Sequence, residues 1–154
     1  MRGRTSIGSL RGDVRQPGLG LDETSLAEIV RGLDLVIHGA AATGFNLSGC
    51  VYQEVNIGGT ANVLALIRPG GRLPIPLLHL STAYVCGERS GLVAEGELDV
   101  GQRFANGYES NKAEAERRSA PHNSKARPAL WRARRSSWAA TATGPSASSP
   151  TSTL

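Results

Sequence analysis

Two short apolar runs, each closing on small or hydroxyl side chains, limit what this chain can fold into. Residues 33–42 read LDLVIHGAAA and residues 77–87 read LLHLSTAYVCG. Runs this short and this apolar fit strands buried on both faces of a parallel sheet, whose carboxyl ends open onto a ligand crevice. The first strand is expected over Leu33–Ala42 and the second over about Pro76–Thr82. Helical spacing fills the intervals. Leu21, Leu26, Ile29 and Val30 predict a helix over Leu21–Arg31, with Asp22 as N-cap and Ser25 and Glu28 in its opening turns. Val51, Val55, Ala61, Val63, Leu64 and Ile67 predict a second helix ending near Arg68, where Pro69 and Gly70 stop it. A third begins around Tyr108. Helix, strand, helix, strand, helix implies crossover connections and an α/β layered fold.

Charge divides the chain in two. The whole has 154 residues, a formal charge of +4 and 40% hydrophobic residues. Residues 1–116 hold 10 basic and all 13 acidic side chains, whereas 117–154 hold 7 basic and no acidic ones. Beyond Arg118 the composition turns to Ala, Ser, Arg, Pro and Thr without apolar period, which buries too little surface to order itself. We therefore expect a folded domain over 1–118 and a disordered basic tail over 119–154. Cys50 and Cys86 suggest no disulfide framework, and no apolar stretch approaches the roughly 18 residues of a membrane span. A reducing, cytoplasmic setting is the expectation. No metal-ligand cluster stands out among His38, His79, His122 and the cysteines.

The chemistry gathers after the second apolar run. Ser81 and Thr82 place hydroxyls at a strand end, and Tyr108 and Lys112, four residues apart, share one helix face. An ammonium beside a phenol favours the phenolate, so such a pair can pass a proton to a carbonyl oxygen. His38 and His79, inside apolar strands, read as satisfied core residues. Cys86 reads as a small buried hydrophobe, and Glu114 and Glu116 as a solvated helix face.

Five stretches taken in order, GDV at Gly12, VIHGAA at Val36, VNIGGTANVL at Val55, STAYVCG at Ser81 and YESNKAEAE at Tyr108, resemble the extended short-chain dehydrogenases/reductases over roughly Gly12–Arg118. With PGLGL at Pro17–Leu21, the chain looks most like the thioester reductase and fatty acyl-CoA reductase branch. The resemblance implies a partial Rossmann-like, doubly wound parallel sheet and NADP or NAD as cofactor. It also implies reduction of an acyl thioester, on CoA or a carrier protein, to an aldehyde. It makes Thr82 the catalytic hydroxyl with Ser81 structural beside it, Tyr108 the general acid, and Lys112 the residue that binds the nicotinamide ribose. It gives Asn56 the organisation of the active-site helix, Asp13 an adenine contact, and Ala40 and Ala41 the ribose edge. No metal and no covalent enzyme intermediate are implied.

Two departures shape the expectation. The GxxGxxG turn that would seat the pyrophosphate is missing, since Gly3, Gly8, Gly12, Gly18 and Gly20 do not form it. We expect a sheet lacking its first βαβ segment, with an exposed apolar face and edge, inactive as an isolated chain. The tail also lacks the strand the family carries after the catalytic helix, which suggests a shifted reading frame from near Arg118 or Ser119. Alternatives are a nucleotide-sugar epimerase or dehydratase, or a hydroxysteroid-type dehydrogenase, of the same superfamily; Cys86, where that group commonly has Tyr, argues mildly against them. From another class comes a nucleic-acid binder acting through Arg117–Arg135, though no aromatic platform or binding module supports specific recognition.

Overall fold

A computed structural model describes residues 7–44, 46–68, 75–94 and 96–123, with the side chains of 121–123 excepted. Its frame is a two-stranded parallel sheet. Strand β1 (Val36–His38) pairs with β2 (Leu77–His79) in the register Val36 to Leu77, Ile37 to Leu78 and His38 to His79. Both strands are shorter than their apolar runs. Beyond His38 the chain leaves the ladder because Gly39–Ala42 turns into a loop held by a side chain from the following helix. Beyond Leu80, whose N–H still bonds to His38 O at 2.9 Å, Thr82 opens a tight turn over Ala83–Cys86.

Helix α1 (Glu23–Gly32) starts as expected: the Asp22 carboxylate accepts from the Ser25 N–H at 2.9 Å and from its hydroxyl at 2.7 Å. Between the strands one helical run is built in three parts. These are α2 (Gly49–Tyr52), a π-wound segment (Gln53–Gly58) and α3 (Gly59–Ile67), which ends at Arg68 as its pattern requires. Pro69 and Gly70, expected to stop it, lie outside the described residues. Helix α4 (Gly107–Asn123) closes the structure. It continues through 119–123, past the boundary expected at Arg118, and Ser119 is fully buried with its hydroxyl donating to Glu116 O at 2.8 Å.

The core lies on one face of the sheet. Val63, Leu64 and Ile67 of α3 pack on Leu77, with Val14, Leu19, Val36, Leu66 and Ile75 around them. The segment before α1 is drawn onto α3: Asn62 Nδ2 donates to Val14 O at 2.9 Å, and a Cβ added at Gly59 would stand 2.9 Å from Val14 Cγ2. Glycine is what permits that approach. On the opposite face and flank β1 is open, and Ile37 is 62% exposed. Among the described residues no other strand pairs with β1.

Candidate functional site

The carboxyl ends of both strands point to the same edge, and three fastenings shape it. At the end of β1, Asn56 in the π-wound segment clamps the backbone of Ala42. Its Oδ1 accepts from Ala42 N at 2.7 Å and its Nδ2 donates to Ala42 O at 3.1 Å. The extra residue per turn of a π segment is a common device at functional sites, and here it carries Asn56. The same loop is pinned farther along by the buried Tyr52, whose hydroxyl donates to Gly44 O and accepts from Leu47 N at 3.2 Å.

At the end of β2, Lys112 Nζ donates to Leu80 O at 2.7 Å, and Ser81 Oγ donates to Glu116. Thr82 follows at once, half-buried, with its Oγ1 capping the Tyr84 N–H at 3.3 Å. The turn after Thr82 ends at Gly87, whose φ is 63° and where a Cβ would stand 2.1 Å from Arg103 O. Only glycine fits such a position.

The third fastening starts α4. Asn106 Oδ1 accepts from Glu109 N at 3.0 Å, while the Glu109 carboxylate accepts from Asn106 Nδ2 at 3.1 Å and from Ala105 N at 3.0 Å. This variant of the capping box places Tyr108 in the first turn of the helix. From there Tyr108, Lys112, Glu116 and Ser119 follow one another along a buried stripe. Helix α4 packs on β2, on the π-wound segment and on the turn that follows Thr82. Lys112, 4% exposed, thus meets the chain two residues before Thr82, with Tyr108 one turn earlier on the same face.

Burial holds the Lys112 ammonium below the usual lysine range, while the nearby Glu116 charge works the other way. The same ammonium acts on two histidines beneath it. His38 and His79 face each other at the strand ends, ring centroids 5.2 Å apart, and both are kept neutral first by burial and then by Lys112. His38 shares a 3.2 Å hydrogen bond with Thr60, but both ring nitrogens of His79 lack a partner among the described residues, and its pKa is pushed down to about 3. Of the two core histidines expected to be satisfied, His79 is not. Glu116 is a second correction: at 2% exposure it belongs to no solvated face, whereas Glu114 does point outward to Arg117 and Arg118. The signal lay in the sequence, since Tyr108, Lys112 and Glu116 recur at intervals of four.

An open groove of about 650 Å³ runs along β1, lined by Leu10, Gly12, Asp13, Val14, Leu19, Val36, Ile37, His38, Gly39, Ala40 and Val63. Ala40 lines it and Ala41, half-buried, does not. Asp13 sits at its wall with its carboxylate gripped by Arg15, whose Nε and Nη2 approach to 2.7–3.1 Å and hold the pKa at about 2. A volume of this order suits a small-molecule site, and the short side chain of Ala40 leaves the backbone there accessible, whereas the space beside Gly39 is taken by Leu80. These residues fit the nucleoside ends of a dinucleotide; a phosphate cradle is not among them.

The model of the family described as Male sterility protein, an NAD-binding domain, matches residues 3–132. The chain belongs to that family. Its members by likeness are thioester-reductase-type short-chain dehydrogenases/reductases. Within reach of the family stands a probable fatty acyl-CoA reductase 5 of Arabidopsis thaliana, 38% identical over 88 residues, which are 56% of this chain and 18% of that protein. The terminal R domain from the myxalamid PKS-NRPS biosynthetic pathway superposes with a TM-score of 0.63 at 27% identity, over 75% of this chain and 30% of that one. A UDP-glucuronic acid 4-epimerase from Bacillus cereus, solved with NAD, gives a TM-score of 0.55 at 26% identity, over 71% and 33%. The chain thus spans less than a third of the reductase relatives it matches. The cofactor class the family implies is a nicotinamide dinucleotide.

Proposed function

We propose that this chain carries the catalytic edge of an NADPH-dependent reductase of acyl thioesters bound to CoA or to a carrier protein. The observation that carries the reading is the attachment of Lys112 to Leu80 O, which brings the Tyr108 helix onto the strand end that leads into Thr82. The bound dinucleotide would supply hydride to the thioester carbonyl carbon. Every other element of the chemistry belongs to this chain. The hydroxyls of Thr82 and Tyr108 donate hydrogen bonds to the carbonyl oxygen as it gains negative charge, and Tyr108 delivers the proton. Lys112 keeps a positive charge beside the phenol and offers its ammonium to the ribose hydroxyls. Asn56, fixed on Ala42, holds the loop that borders the cofactor groove, while Asp13 and Ala40 take its adenosine end. The hemithioacetal so formed collapses to thiol and aldehyde.

The likeness to a PKS-NRPS terminal R domain supports this reading over the sugar-nucleotide alternative, whose representative superposes less well. The test is nicotinamide consumption by the chain with an upstream glycine-rich segment restored, with an acyl-CoA and with an acyl-carrier thioester, against a UDP-sugar as control. Tyr108→Phe is expected to lower kcat at least about 100-fold, the usual worth of a positioned acid. An undiminished rate in that variant, or turnover of the UDP-sugar alone, would overturn the assignment.

A further inference from the structure

A carboxylate as deeply buried as that of Glu116 costs several kcal/mol unless charge and hydrogen bonds compensate it. It has both: the hydroxyl of Ser81, and the ammonium of Lys112 one helical turn away. The neighbouring arginines are engaged elsewhere, with Arg117 and Arg118 both reaching Glu114 on the outer face. Two consecutive residues after β2 are therefore buttoned to two residues of α4 one turn apart, Leu80 to Lys112 and Ser81 to Glu116. Thr82 is the next residue along the chain.

We propose that Glu116 is a positioning residue of the site: its carboxylate steadies Lys112 from one turn along α4 and, through Ser81, sets the place of Thr82. This rests on the reductase reading for its functional meaning, but the geometry can be tested without turnover. The titratable groups around Lys112 are His38 from β1, His79 from β2, and Tyr108 and Glu116 one turn to either side on its own helix. Both histidines are neutral, so Glu116 supplies the negative charge among them.

The chain has two lysines, Lys112 and Lys125, so a carbon-13 label at the lysine ε-carbon reads Lys112 directly in the full chain. Glu116→Gln keeps an acceptor for Ser81 but removes the charge. It is expected to lower the Lys112 titration midpoint by about one unit or more, as loss of a close opposite charge does. Where reductase activity is present, the alkaline limb of the kcat profile moves acidward by the same amount. Ser81→Ala leaves the charge and removes the tether. It is expected to leave the midpoint in place and to speed hydrogen exchange at the Tyr84 amide, which Thr82 caps, about tenfold. An unmoved Lys112 midpoint in Glu116→Gln overturns the proposal. Should that variant not fold, unchanged Tyr84 exchange in Ser81→Ala overturns it instead. A shifted midpoint in a chain that reduces no thioester would sink the reductase reading and leave the placement of Glu116 standing.

Discussion

His79 shows how one residue can set a limit on the conditions under which the site exists. In the folded chain its pKa lies near 3, far below its ordinary value of about 6.5, because burial and the Lys112 ammonium disfavour a second positive charge. The sign follows directly. Above pH 6.5 the ring is neutral in both folded and unfolded chains, so pH has no hold on it. Between about 6.5 and 3 the unfolded chain takes up a proton that the folded one refuses, and stability falls by up to about 1.4 kcal/mol per pH unit. Urea unfolding measured from pH 7 to pH 5 is expected to show this slope, and His79→Leu is expected to flatten it. An equally steep loss in the variant would place the acid sensitivity elsewhere. Asn56 acts at the same scale. Asn56→Ala strands both backbone groups of Ala42 and is expected to cost about 2 kcal/mol by the same measurement.

At the level of elements, local signals were readable and long-range ones were not. Asp22, its hydroxyl partner Ser25 and the apolar spacing of α1 placed that helix, expected over Leu21–Arg31 and observed over Glu23–Gly32, because capping acts over three residues. The helix ending at Arg68 was equally plain, but its π-wound middle was not, since the winding answers to Ala42, fourteen residues away. Strand lengths were overestimated for a similar reason: an apolar run tells where burial is wanted, whereas pairing decides where a strand stops. The α4 start offers a test of the local kind. Asn106→Ala removes the side-chain partner of both ends of the capping box and is expected to cost about 1 kcal/mol, read as a lower Tm. Gly87→Ala should cost more than that, because the new methyl would meet Arg103 O in a backbone conformation that L-residues avoid.

Taken whole, the molecule gathers its candidate site residues on one edge and has an opening on one flank. The placement of Thr82, Tyr108 and Lys112 near one strand end, on which the proposed catalytic role rests, was legible because the spacing of hydroxyl, phenol and amine survives as a pattern in the sequence. Glu116 escaped because its charge argues for solvent and outweighed its place four residues after Lys112 on the same face; the packing of α4 decides for burial. On the flank of β1 Ile37 stands exposed, and no other strand pairs there among the described residues. Residues 124–154 lie outside the described structure, and for them the nucleotide sequence is the measurement that counts. A shifted frame from near Arg118 predicts that an alternate frame there encodes an apolar strand; a gene with no such frame removes the idea.

The uncovered side of β1 has a practical consequence. A strand edge with no strand partner among the described residues and an outward isoleucine offers pairing to an extended peptide, and in a concentrated solution that is another molecule of the same sequence. The groove along β1 is then narrowed by a neighbour. The mass seen by light scattering should rise as the protein is concentrated and return on dilution, so the amount in the cuvette decides how many chains travel together.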